Sequence, residues 1–211
     1  MNDEPKIKTG TSIVWIMIFV MVLVFIVNLI LSRDYNVLMV ALTGGGRIVD
    51  FLGASYPDVY LGLQLHRLVT YGYVQPAIWH LLANGYALSY IGPYFESVLG
   101  RKRFLIVFHV GLIIAGAVYL VIFPDDYMYG ASPAVFCCLG MLANWLFKDR
   151  SLLNEYRAQR GWIYLLCYMI LSNFLGTRTF AIHLLGFLTG LLLGAFVKRE
   201  DKKQDDGMLT F

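Results

Sequence analysis

The sequence predicts an all-α membrane protein: a bundle of six transmembrane helices with a long structured outer loop between the first and the second. Three observations support this. Hydrophobic residues make up 58% of the 211 positions and charged ones only 15%. The charges gather in short runs between apolar blocks about twenty residues long, enough to cross ~30 Å of hydrocarbon at ~1.5 Å per residue. Lys and Arg also fall unevenly on the two sides of those blocks, the bias that orients helices in a membrane.

The first block, 12–31, carries no charge. It is longer than a signal-peptide core and no small-x-small cleavage pattern follows it, so it reads as a retained helix. The segment 33–73 is too polar to cross and too rich in Leu, Val and Tyr for disorder. It is expected to fold on the membrane interface, with a turn at the glycines 44–46. Blocks at 77–95, 104–123, 127–147, 162–176 and 180–197 complete the six.

With the N-terminus inside, thirteen of the seventeen basic residues lie on the inner side. They are Lys6 and Lys8; Arg101, Lys102 and Arg103; Lys148, Arg150, Arg157 and Arg160; and Lys198, Arg199, Lys202 and Lys203. Arg33, Arg47, Arg67 and Arg178 remain outside. Both termini are then cytosolic in a multi-pass integral membrane protein, a single domain of residues 1–211 with its core at 12–197 and a solvated tail at 198–211. A six-span core without an added domain suits a bacterial plasma membrane. Cys137, Cys138 and Cys167 all fall inside blocks, so no disulfide framework is expected.

Polar side chains inside a bilayer need a reason, and the candidates are His80, Asn84, His109, Ser132, Asn144 and His183. Gly130 admits dihedrals closed to other residues and Pro133 suits a first helical turn. The fourth helix is therefore expected to start near Pro133, with Ser132 as its N-cap. From there to Phe147 is ~22 Å at ~1.5 Å per residue, which leaves Ser132 below the outer surface. Irregular backbone at that depth requires burial in protein or a water-filled cavity. His183 follows Arg178 by five residues, and His80 follows Pro76 by four, with Asn84 one turn further on the same face. These four residues come from three helices and converge on the outer half of the membrane. His109 and Asn144 belong to the inner half, and each is expected to hydrogen-bond a neighbouring carbonyl.

A serine hydroxyl becomes nucleophilic when a base removes its proton, and histidine has the pKa for that task. Ser132 and His183 fit those roles as a dyad, because no Asp or Glu at that depth is available to orient the imidazole. The Ser132 N–H, the Asn84 amide and the His80 ring are donors of the kind an oxyanion needs. Two other readings of the same residues stay open: polar groups that merely bridge helices, and a metal site built on His80 and His183 that lacks a third ligand. A transporter would place its polar groups near the midplane, whereas this set lies toward one face. Gly186, Gly190 and Gly194 form a row that lets a neighbouring helix approach closely.

Taken together, these residues resemble the rhomboid family of intramembrane serine proteases. His80-Leu-Leu-Ala-Asn84 is similar to the family's HxxxN, Gly130-Ala-Ser132 to the start of its GxSG, and His183-Leu-Leu-Gly186 to its HxxG. Arg67 in HRLVT and Glu96-Ser-Val-Leu-Gly100 add supporting matches, and the resemblance runs from Arg67 to Gly194. It implies a rhomboid-like bundle that cleaves transmembrane segments of other proteins near the outer face. Ser132 would be nucleophile, His183 base and then acid, and His80 with Asn84 would serve the oxyanion. The implied partners are transmembrane protein substrates and the lipid bilayer, with no nucleic acid and no metal or organic cofactor. Two positions depart from the pattern: Pro133 stands where the family has Gly, and His66 where it has Trp. The alternative is a rhomboid-like pseudoprotease that binds or escorts membrane proteins. Retention of both Ser132 and His183 favours the enzyme.

Overall fold

The computed structural model describes residues 12–152 and 162–199. Lys6, Lys8, Arg157, Arg160 and the tail from residue 200 onward lie outside the described residues.

The first helix, α1 (Ile13–Leu31), starts where Ser12 accepts the Val14 N–H. The Ser12 hydroxyl donates in turn to the Glu96 carboxylate, which also receives the Ile13 N–H at 3.3 Å and the Arg101 Nε at 3.0 Å. Glu96 therefore takes the first unpaired N–H of α1 with a negative charge, the sign a helix N-terminus prefers.

The segment after α1 is folded. It contains α2 (Val37–Thr43), α3 (Arg47–Leu52), the short strand β1 (Ala54–Ser55), a π-helical turn (Pro57–Leu61), α4 (Arg67–Thr70) and a 3₁₀ turn (Tyr71–Tyr73). The glycine triplet takes φ of +94°, +95° and +108°, which side chains resist. Buried Asn28 and Ser32, near the end of α1, hold it there. Asn28 donates to the Gly45 carbonyl at 2.9 Å and accepts the Ile48 N–H at 3.0 Å, while Ser32 accepts the Arg47 N–H at 3.0 Å. Arg67 is the second anchor. Its guanidinium reaches Gln64 Oε1 at 2.6 Å and the carbonyls of Asp50 and Gly53 at 3.0 and 2.7 Å, so one buried cation organises the turn after α3.

Two long helices follow, α5 (Ile78–Leu99) and α6 (Arg101–Ile122), joined at Gly100 with φ +75°. Then β2 (Tyr127–Met128) pairs antiparallel with β1, Ala54 opposite Met128 and Ser55 opposite Tyr127. The last helices are α7 (Ser132–Lys148), α8 (Trp162–Ser172), which runs into a 3₁₀ turn (Asn173–Leu175), and α9 (Thr177–Phe196). The fourth apolar block, expected from residue 127, thus becomes helical only at Ser132. Its first residues pair with β1, and Gly130, at φ +100°, turns the chain.

Helix α7 is the axis of the bundle. Every residue from Ser132 to Leu142 is buried, as befits a helix that is apolar all round. Among the described residues, α1, α6 and α9 are long and apolar enough to cross a membrane. Their outward faces expose large apolar side chains such as Phe19 and Ile26 on α1, Ile106 and Val121 on α6, and Leu188 and Leu192 on α9. Such a surface is at home in lipid, where apolar burial no longer drives helices together and close packing must. Helix α5 is as long as α6 but carries His80, Asn84 and Glu96 and has Pro93 in its interior. Of these, His80 and Asn84 line the cavity described next, whereas Glu96 caps α1 at the other end.

Candidate active site

The chain reaches Ser132 through a turn that only glycine tolerates. The Gly130 N–H donates to the Tyr71 carbonyl at 2.8 Å, so the 3₁₀ turn before α5 anchors it. A Cβ at Gly130 would stand 2.7 Å from the His80 ring and 3.4 Å from Asn84 Nδ2. The two motifs are thus in contact through a missing side chain. Helical bonding begins at Ala131, whose carbonyl accepts the N–H groups of Ala134 and Val135 at 3.0 and 3.1 Å. Ala131 is therefore the N-cap and Ser132 the first helical residue, one position earlier than the sequence suggests. Pro133 occupies the first turn, where its missing N–H has no intrahelical partner to lose. The Ser132 N–H belongs to the same unpaired set, at the positive end of the helix dipole.

His183 arrives from α9 on a row of glycines. A Cβ at Gly186 would overlap the Pro133 carbonyl oxygen, and one at Gly190 the Cys137 carbonyl oxygen. At Gly194 it would stand 2.8 Å from Asn144 Cβ. Gly140 completes the contact from the α7 side, against the Phe187 carbonyl. His183 lies one turn before Gly186, which sets its ring beside the start of α7. The ring stacks on Phe136 with centroids 4.2 Å apart and planes 10° from parallel. Its Nδ1 lies 2.8 Å from Asn173 Oδ1, and the Asn173 amide nitrogen donates to the Met169 carbonyl at 2.6 Å.

Ser132, His183, His80 and Asn84 line one cavity of about 900 Å³ between α5, α7, α8 and α9. The four residues that depth alone brought together are together in space. Asn84 is clamped by its neighbours: its amide nitrogen donates to Gln75 Oε1 at 2.8 Å, and its oxygen accepts the Tyr168 hydroxyl at 2.8 Å. Gln75 Nε2 donates to the Gly72 carbonyl at 3.3 Å, so Gln75 turns its oxygen to Asn84, the Asn84 atom facing it is nitrogen, and one Asn84 N–H is left unspent. The His80 ring meets Tyr129 edge to face, centroids 5.7 Å apart. Deeper in, Tyr164 of α8 packs against Tyr86 and Tyr90 of α5, with centroids 5.3 and 5.6 Å apart. At the rim, Arg178 pairs with Asp125 at 2.7 Å and holds that carboxyl below its ordinary range.

The polar residues excluded from the constellation lie elsewhere. His109 bonds the Leu105 carbonyl at 2.8 Å and the Tyr73 hydroxyl at 2.9 Å. Asn144 donates to the Leu191 carbonyl at 3.0 Å and so links α7 to α9. Among the described residues, no three His, Cys, Asp or Glu side chains gather as metal ligands.

Sequence reasoning passes over Asn173, Phe136, Gln75 and Tyr168. Asn173 was legible in part, since it is an amide at the end of an apolar block ten residues before His183. The aromatic pair carried no signal, because Phe136 and Tyr168 look like ordinary membrane residues until the helices are packed.

The Rhomboid domain family model matches residues 62–200. The chain is 29% identical over 201 residues to Rhomboid-like protease 3 of Toxoplasma gondii, covering 93% of this chain and 73% of that protein. It is 32% identical over 130 residues to YdcA, a rhomboid protease candidate of Bacillus subtilis, covering 60% of this chain and 64% of YdcA.

Proposed function

The chain belongs to the rhomboid family, and from that premise we propose that it is an intramembrane serine endopeptidase acting on transmembrane segments of other membrane proteins. The observation that carries this reading is the shared cavity: Ser132 and His183 face it from two helices locked backbone to backbone. Such locking supports chemistry, because a nucleophile and base must hold their relative position through the reaction.

In the mechanism, His183 Nε2 accepts the Ser132 proton as Oγ attacks the scissile carbonyl carbon. The carbonyl π bond becomes an oxyanion, stabilised by the Ser132 N–H, the unspent Asn84 N–H and the His80 ring N–H. Collapse breaks the C–N bond, and the protonated His183 supplies the proton to the leaving amine. Water from the cavity then attacks the acyl-enzyme, with His183 again as base, and Ser132 is regenerated. Pro133 is compatible with this scheme because no step uses its nitrogen. Six spans, with both termini cytosolic and the Ser132 end outward, complete the proposal.

The test is fluorophosphonate labelling of the detergent-purified protein. Wild type is expected to label at Ser132, and Ser132→Ala and His183→Ala to lose labelling while remaining folded. No labelling in folded wild type would sink the protease reading and favour an escort that binds membrane segments without cutting them.

A further inference from the structure

Asn173 occupies the 3₁₀ turn between α8 and α9, beyond the matched sequence motifs. Its amide orientation is fixed by its two partners. The Met169 carbonyl at 2.6 Å can only accept, so the atom facing it is Nδ2 and the atom facing His183 is Oδ1. Oδ1 is itself only an acceptor, so His183 Nδ1 must carry the hydrogen in the 2.8 Å bond. In the neutral ring the lone pair then resides on Nε2.

Building on the serine protease reading, we propose that Asn173 is a positioning residue that fixes the tautomer and aim of His183. The unit is then a triad in function, with an amide in the third place, where the sequence offers no carboxylate. Phe136 blocks one face of the ring and Asn173 pins its far edge, so rotation about the ring axis is restrained from two sides. A neutral orienting group stabilises the imidazolium less than a carboxylate would. The other titratable groups on the cavity are His80 of α5, Tyr168 of α8, Tyr129 before α7, Tyr86, Tyr90 and Tyr164 deeper in, and Tyr71, Tyr119, Asp126, Tyr127 and Arg178. Among the described residues, Asn173 is the hydrogen-bond partner of the His183 ring.

Two measurements test this. Nitrogen NMR of ¹⁵N-histidine protein, with the His183 signal identified by its absence from His183→Gln, reads the tautomer without any activity. Wild type is expected to carry the hydrogen on Nδ1 and Asn173→Ala to show a mixture of both tautomers. The second measurement is the pH dependence of fluorophosphonate inactivation, resolved into maximal rate and reagent affinity. Asn173→Ala is expected to lower the maximal rate about tenfold, with affinity unchanged. Its acid limb should move to lower pH, because the imidazolium loses an acceptor. Asn173→Asp should recover rate and move that limb to higher pH, because a carboxylate favours the charged ring. A purely structural asparagine would lower the thermal midpoint and leave the limb in place.

The same tautomer and the same acid limb in wild type and in folded Asn173→Ala would overturn the proposal. Should the alanine variant fail to fold, an unmoved limb in the isosteric Asn173→Asp has the same force. If wild type labels through Ser132 and Asn173→Ala labels equally well, this inference fails and the protease reading stands. If wild type does not label yet the tautomer shifts in Asn173→Ala, the protease reading fails and the positioning role stands.

Discussion

The interface between α7 and α9 sets backbone against backbone, whereas that between α5 and α8 is bridged by side chains. On the first, Gly140, Gly186 and Gly190 let backbone meet backbone, and Gly194 meets the Asn144 side chain. On the second, Tyr164 leans on Tyr86 and Tyr90, and the Tyr168 hydroxyl reaches across to Asn84. Glycine contacts have no rotamers and cannot adapt, so they hold Ser132 and His183 at one separation. Side-chain bridges can be broken one at a time and remade around a guest. On the proposed mechanism, the pair that must not move stands on the rigid interface, and the cavity wall that would receive a polypeptide is built from the adaptable one.

The contrast is broken most directly at Gly190. Gly190→Ala adds a single methyl group, but that group overlaps the Cys137 carbonyl, which is helical backbone and cannot turn aside. The expected loss exceeds the ~1–3 kcal/mol usual for overpacking, with thermal midpoint and fluorophosphonate labelling falling together. A variant of wild-type midpoint would show that the interface yields and would erase the distinction.

Asn84→Ala probes the other side. Removing one oxyanion donor is expected to slow labelling by at most about 10²–10³, or ~2.7–4 kcal/mol. Stability should fall by only ~1–3 kcal/mol, for the stranded Gln75 acceptor. Rates taken well below the midpoint separate the two effects. A rate loss no larger than the stability loss would remove Asn84 from the oxyanion role.

The smallest effect is expected from Tyr168→Phe, which deletes the hydroxyl that clamps the Asn84 oxygen and leaves the ring in place. A net hydrogen bond is worth ~0.5–1.5 kcal/mol, so the loss of stability should stay near that figure and labelling should slow by no more than about tenfold. If Tyr168→Phe matched Asn84→Ala in rate, the clamp rather than the donor would be the functional element.

Much of this arrangement was legible in the sequence because it depends on local chemistry. Apolar blocks and their breaks mark the helices. Gly130 and Pro133 announce a turn into a helix start, and the one-residue shift from Ser132 to Ala131 as N-cap arose because the Ala131 carbonyl was free to take the first bonds. The Gly186, Gly190 and Gly194 row pointed to a close neighbour. Its partner Gly140 went unnoticed, because one glycine makes no row.

By itself the sequence determined which residues are polar at which depth, since length along a helix of known rise is a local quantity. It therefore brought Ser132, His183, His80 and Asn84 to one level. The tertiary structure alone decided what each of them faces. Whether the His183 edge meets Asn173, whether its face meets Phe136, and which end of the Asn84 amide is spent on Gln75 depend on the rotation of each helix about its axis. That rotation is set by contacts between helices, which no periodicity within one helix records.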